Sequence, residues 1–203
     1  MGTGYESVDD RTAQGRFAKL ARIGEVVFHA GDLANLWHIT NKNTLYTSLK
    51  RYVKRGFLFR IRKGLYSVKP PEEVSGELLG VKALHGYAYV STETVLARAG
   101  LIFQHIPYIT LVSGKSKRFS LAGQDYFSRK LAVKFLYNSA GIFVGDHGVL
   151  AASAERAIAD LLYFNPHAYI DAAESSLLDW GKVALIQEAV GYPKRDRKHD
   201  TSG

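Results

Sequence analysis

Residues 41–68 read NKNTLYTSLKRYVKRGFLFRIRKGLYSV, and the rest of the chain is organised around them. At 100° per residue, Leu45, Leu49, Tyr52 and Val53 fall within one stripe about 100° wide, which predicts a helix over 44–55 with that stripe turned to a core. Gly56 stops it where a left-handed residue is wanted. The opposite face carries Asn43, Thr47, Lys50, Arg51 and Lys54. Phe57, Phe59 and Ile61 then alternate with Leu58, Arg60 and Arg62, and Lys63-Gly64 turns the chain into Leu65-Tyr66-Ser67-Val68, the pattern of a two-stranded hairpin. A helix face of amide, hydroxyl and cationic groups followed by a basic hairpin implies a recognition helix and a wing on double-stranded DNA.

The charge distribution points the same way. The chain carries 27 Lys and Arg against 19 Asp and Glu, a formal net charge of +8, which favours polyanionic partners. Eight of the cations, Lys42, Lys50, Arg51, Lys54, Arg55, Arg60, Arg62 and Lys63, lie between Asn41 and Gly64 with no acid among them. A merely solvated helix face interleaves both signs for pairing one turn apart, so the acid-free run implies a phosphate-facing surface. The DNA-binding set read from the sequence is Asn43, Thr44, Thr47, Lys50, Arg51, Lys54, Arg60, Arg62 and Lys63. Thr47 and Lys50, in the middle of the face, are assigned to base edges. Arg60, Arg62 and Lys63 are assigned to phosphate or to the minor groove, where they position more than they read. Asn43 either caps the third helix or contacts DNA, since Asn leads the N-cap ranking.

Other chemistries find little support. The chain has no cysteine, which excludes disulfides, thiolate metal sites and a cysteine nucleophile. Its seven histidines show no paired i,i+3 or i,i+4 ligand spacing, so no metal is expected. No glycine-rich phosphate loop, Gly-x-Ser-x-Gly elbow or HExxH motif occurs, so no catalytic or cofactor-binding residue is assigned and the chain is not read as an enzyme. Asp146-His147 beside glycine is read as a hairpin turn. Arg156 and Asp160, one turn apart on a helix capped by Ser153, are read as a local structural pair. An enzyme or RNA-processing factor working through those groups is the competing reading. The first 25 residues include Glu6, Asp9 and Asp10 and lack a continuous apolar core, and no later run approaches 18 apolar residues. A cytoplasmic chain without signal peptide or membrane span is expected.

Along the chain, 1–10 reads as a loose leader, 11–23 as a first helix, and Val26 to His29 as a short β-branched stretch. Asp32 then caps a second helix through Leu33, Leu36 and Trp37. Pro70-Pro71-Glu72-Glu73 cannot continue a strand and reverses the local charge, so a domain boundary is expected near 70. Beyond it, 76–85 and 91–99 read as helices, 108–113 and 130–137 as strands, 142–150 as a hairpin, and 153–164 and 172–190 as helices, the last weakened by Gly181. The tail from about 193 is basic and expected to be disordered. The expected fold is α+β: a winged helix-turn-helix over 1–70 followed by a mixed α/β domain over 71–203.

This order of segments resembles the AbiEi family, the transcriptional-regulator antitoxins of type IV toxin-antitoxin systems, from about residue 17 to 165. The resemblance rests on Val27-Phe28, Asp32-Leu33-Ala34, the run from Leu49 to Gly56 and Arg60-Ile61-Arg62-Lys63-Gly64-Leu65-Tyr66. It continues in Tyr89-Val90-Ser91, Gly100-Leu101, Tyr108 to Val112 and the run from Ser153 to Leu162, where Arg156 stands in place of the usual lysine. The resemblance implies a repressor of its own operon that binds inverted repeats in the promoter. It also implies opposition, without a stable complex, to a nucleotidyltransferase-like toxin encoded nearby. No cofactor is implied, and the chain is expected to act as a monomer or weak homodimer. A winged-helix transcription factor whose second domain senses a ligand or a protein partner, with no toxin, is the alternative.

Overall fold

The computed structural model describes residues 12–168, 176 and 178–193. The leader over 1–10 and the tail after 193 lie outside the described residues. The chain divides into two compact units, Met1–Val74 and Ser75–Gly203. The division falls beyond residue 70 because Pro71–Glu73 forms a 3-10 turn that leads to a buried Val74 before the next helix begins.

Among its described residues, the first unit holds three helices, α1 (Ala13–Ile23), α2 (Ala30–Leu36) and α3 (Lys42–Lys54), and three short strands, β1 (Val27–His29), β2 (Phe59–Arg62) and β3 (Leu65–Ser67). Thr12 caps α1 by accepting from the Gly15 amide at 3.1 Å. Helix α2 starts two residues before Asp32. His29 occupies the cap position and Asp32, in the first turn, accepts from the His29 amide at 3.0 Å. Helix α3 starts at Lys42 rather than Thr44, because Asn41 is its cap: one side-chain oxygen accepts from the amides of Asn43 and Thr44 at 2.9 and 3.1 Å. Asn43 is therefore not the cap. Arg55 and Gly56 end the helix, with Gly56 at φ +74.

The hairpin expected from alternation is part of a three-stranded antiparallel sheet in the order β1-β3-β2. Phe28 pairs with Tyr66 and Arg60 pairs with the same Tyr66 from the other side. The strict alternation fails in two places. Leu58 precedes the strand and is buried in the core, and an irregularity between Arg60 and Arg62 shifts the register. Leu20, Phe28, Leu33, Trp37, Leu45, Leu49, Tyr52, Leu58 and Tyr66 form the core of this unit. Leu33 and Leu49 are fully buried, each worth about 1.5–3 kcal/mol relative to exposure.

The second unit is a six-stranded mixed sheet in the order β6-β7-β5-β4-β9-β8, with helices on both faces. Its strands are β4 (Ala88–Val90), β5 (Tyr108–Ser113), β6 (Lys117–Leu121), β7 (Gln124–Lys130), β8 (Ile142–Val144) and β9 (Leu150–Ala152). Pairs β5–β7 and β4–β9 run parallel and the rest antiparallel. Helix α4 (Gly76–Ala83) lies on one face, its Gly80 against Leu111 and Tyr126. Helices α5 (Glu93–Arg98) and α7 (Ala154–Phe164) lie on the other, where Thr94 meets Thr110 and Asp160 meets Tyr89. Helix α8 (Trp180–Val190) packs on α7.

Several expectations change here. The strand expected over 130–137 is the end of β7 followed by a short helix, α6 (Val133–Leu136): Leu131, Phe135 and Leu136 are buried at helical rather than alternate spacing. Strands β4, β6 and β7 are additional. The β6–β7 hairpin turns at Ala122-Gly123, both with positive φ, a turn to which the Ala contributes no sequence signal. Helix α5 begins at Glu93 rather than 91, because Thr92 takes φ +51 between strand and helix. Of the helix expected over 172–190, residues 172–175 and 177 lie outside the described residues, and Asp179 caps the part that begins at Trp180 by accepting from the Lys182 amide at 3.0 Å. Gly181 sits in its first turn, where its conformational cost is small. Among the described residues, no helix is long and apolar enough to cross a membrane.

Candidate nucleic-acid interface

Helix α3 presents two opposed faces. Leu45, Leu49 and Tyr52 are buried and Val53 is half-buried, while Asn43, Thr44, Thr47, Lys50, Arg51 and Lys54 are all exposed. Helical periodicity alone separates them, since residues of the exposed set recur at three- and four-residue spacing. The amides of Asn43 and Thr44 are taken by the Asn41 cap, but their side chains remain at the surface.

The hairpin is held to the end of this helix by its entry. The amides of Phe57 and Leu58 both donate to the Tyr52 carbonyl, at 3.0 and 3.4 Å, so the chain leaves α3 in a tight reversal. At the far end the Gly64 carbonyl accepts from the Ala30 amide at 2.9 Å, which ties the hairpin turn to the start of α2. Gly64 has φ +80, a conformation that a side chain would strain. Arg60 and Lys63 are exposed on this hairpin and Arg62 is half-buried. Burial of Tyr66 pushes its hydroxyl above the usual range, and the neighbouring Arg60 guanidinium works against that shift.

All nine residues picked from the sequence thus lie on two elements of one unit. Among the described residues, no carboxylate forms an ion pair with Lys50, Arg51, Lys54, Arg60 or Lys63. An unneutralised surface of this kind is suited to polyanions, whose bound counterions it would release. One exposed α3 residue escaped the sequence reading: Tyr46, 45% exposed. Its signal was its spacing, four residues from both Lys42 and Lys50.

The second concentration of polar chemistry is buried. Arg156 and Asp160 have no exposed surface, and Arg156 Nε donates to Asp160 Oδ1 at 2.8 Å. Asp160 also accepts from the hydroxyls of Ser91 at 2.7 Å, Tyr89 at 3.0 Å and Tyr192 at 2.5 Å. The Arg156 guanidinium donates to the Asn138 and Ala140 carbonyls, at 3.1 and 2.8 Å, and to the Tyr89 hydroxyl at 2.9 Å. Burial, reinforced by the Asp160 charge, pushes the Tyr89 and Tyr192 hydroxyls far above the usual range. Such a network holds strands, loop and helices in one arrangement, and its acid is out of reach of a substrate. Asp146 and His147 form a 3-10 turn between β8 and β9, with His147 at φ +56. Among the described residues, no three His, Asp or Glu side chains gather as a metal site.

No protein-family model matches the chain, and no curated protein matches it. A solved structure, that of the RV2827C protein from Mycobacterium tuberculosis, is similar to it with a TM-score of 0.50 at 14% sequence identity, over 87% of this chain and 70% of that one. The likeness is one of fold.

Proposed function

We propose that the first unit is a winged helix-turn-helix that binds double-stranded DNA, with α3 in the major groove and the β2–β3 hairpin against the backbone. The observation that carries this reading is the exposed, acid-free face of α3: Thr47, Lys50, Arg51 and Lys54 point away from a core built by Leu45, Leu49 and Tyr52 on the same helix. Thr47 and Lys50 meet base edges, and Arg60, Arg62 and Lys63 meet phosphate or the minor groove.

The biological role follows from the AbiEi-like sequence pattern. The chain acts in the cytoplasm, as a monomer or weak homodimer, and represses its own operon by binding inverted repeats in the promoter. Its second unit opposes a nucleotidyltransferase-like toxin without forming a stable complex. It is not an enzyme; the complete burial of Asp160 supports that view. A second reading, a transcription factor whose second unit senses a ligand, is favoured by one feature. A crevice of about 470 Å³ lies between α7 and α8, lined by Leu162, Tyr163, Trp180, Gln187 and Tyr192 among others.

The experiment is a salt series of binding to the chain's own upstream promoter fragment against a shuffled duplex of equal length. With five to eight cations on phosphates, the log-log slope is expected at roughly −4 to −7, with the promoter preferred. A Lys50→Ala, Arg62→Ala double variant that held the promoter as tightly as the parent would remove this surface from consideration.

A further inference from the structure

Lys42, Tyr46, Lys50 and Lys54 follow one another at four-residue spacing, and all four are exposed. Residues so spaced form a single ridge on a helix, each offset from the last by about 40°. Tyr46 is the one uncharged member of an otherwise cationic ridge. Its hydroxyl lies near enough to Tyr66, the residue paired with Arg60, to add slightly to the upward push on the Tyr66 hydroxyl. Beside it opens a crevice of about 670 Å³ between α2 and α3, whose polar lining is Asn35, His38, Thr40, Lys42 and Tyr46 and contains no acid.

Among the described residues the Tyr46 hydroxyl has no hydrogen-bond partner. A lone exposed aromatic needs no explanation of its own. An exposed aromatic hydroxyl, flanked on its ridge by two lysines and on its side by an acid-free crevice, stands where those cations would draw a phosphate.

We infer that Tyr46 is a further DNA contact, an uncharged anchor whose hydroxyl donates a hydrogen bond to a backbone phosphate of the duplex held by the same face. This assignment rests on the DNA-binding reading of α3. Its physical signature differs from that of the lysines around it. A cation that neutralises a phosphate releases a counterion, so its removal flattens the dependence of affinity on salt. A neutral donor releases none, so its removal lowers affinity equally at every salt concentration.

The test uses the full chain and a labelled promoter duplex, with binding followed by fluorescence anisotropy across a salt series for the parent, Tyr46→Phe and Lys63→Ala. Tyr46→Phe removes one exposed oxygen and keeps the ring. It is expected to weaken binding about tenfold at each salt concentration with the slope unchanged, the size of one charge-assisted hydrogen bond. Lys63→Ala, at a position assigned to phosphate, is expected to reduce the magnitude of the slope by about 1. A Tyr46→Phe variant that binds like the parent, or one whose loss comes with a flatter slope, overturns the anchor while leaving the DNA reading intact. A parent that binds no duplex overturns both.

Discussion

Arg156 and Asp160, one turn apart on α7, form an ion pair with no exposed surface, and together they engage a strand, the loop before β8 and the residues after α8. Removal of one partner leaves the other charge buried and uncompensated. Asp160→Ala is therefore expected to destabilise the second unit by about 3–5 kcal/mol. Urea denaturation followed by tryptophan fluorescence measures this, and a loss below about 1 kcal/mol would mean that the pair is dispensable.

The α3 cap offers a comparison between neighbours of the same type. Asn41→Ala removes the acceptor for two amides and is expected to cost about 1 kcal/mol. Asn43→Ala, at an exposed position with no capping role, should stay within about 0.5 kcal/mol in thermal unfolding. Equal losses would place the cap elsewhere.

Helix α4 meets the sheet at a glycine. A Cβ on Gly80 would lie 2.5 Å from the Tyr126 ring and 3.1 Å from Leu111. Gly80→Ala thus forces the ring and helix apart, with an expected loss of about 1–3 kcal/mol in spite of alanine's better helix propensity. Stabilisation on thermal melting would show that the ring moves freely.

Tyr126 also sets an alkaline limit. Burial pushes its hydroxyl from 10.0 up to about 12. The folded state therefore holds this proton where the unfolded chain has released it. The contribution is complete below pH 10 and is lost as pH rises from 10 through 12. Denaturant midpoints taken across that window should fall with pH in the parent, and fall less steeply in Tyr126→Phe.

On the proposed DNA-binding surface, Thr47→Ala and Lys50→Ala should separate in kind. Thr47 carries no charge, so its removal is expected to reduce the preference for promoter over shuffled duplex, by about tenfold, at unchanged salt slope. Lys50→Ala should weaken binding to both duplexes as well as reduce that preference. Identical behaviour of the two variants would argue against a base contact by Thr47.

What was legible without coordinates was local. The stripe of Leu45, Leu49, Tyr52 and Val53 is a property of one helix, and with it came the face that carries Thr47, Lys50, Arg51 and Lys54, because a helix with one side buried has only one other side to expose. Gly56 and Gly64 marked their turns for the same reason: both take a backbone conformation that other residues avoid. In the polar run from Thr40 to Asn43 the local pattern pointed to Asn43 as a possible cap, whereas Asn41, two residues earlier and of the same chemistry, holds that role.

Tertiary structure was needed wherever a partner lies far along the chain. Strand β1 finds β3 across nearly forty residues, so Val27 to His29 alone could not announce a three-stranded sheet. The segment over 130–137 carries apolar residues that suit a strand or a helix, and only its packing made Val133–Leu136 helical. Arg156 and Asp160 were legible from their spacing as a local structural pair, but not as a buried one. Their burial depends on Tyr89, Ser91, the carbonyls of Asn138 and Ala140, and Tyr192, groups that only the folded second unit brings together, since a charge leaves water only when partners scattered through the chain replace it.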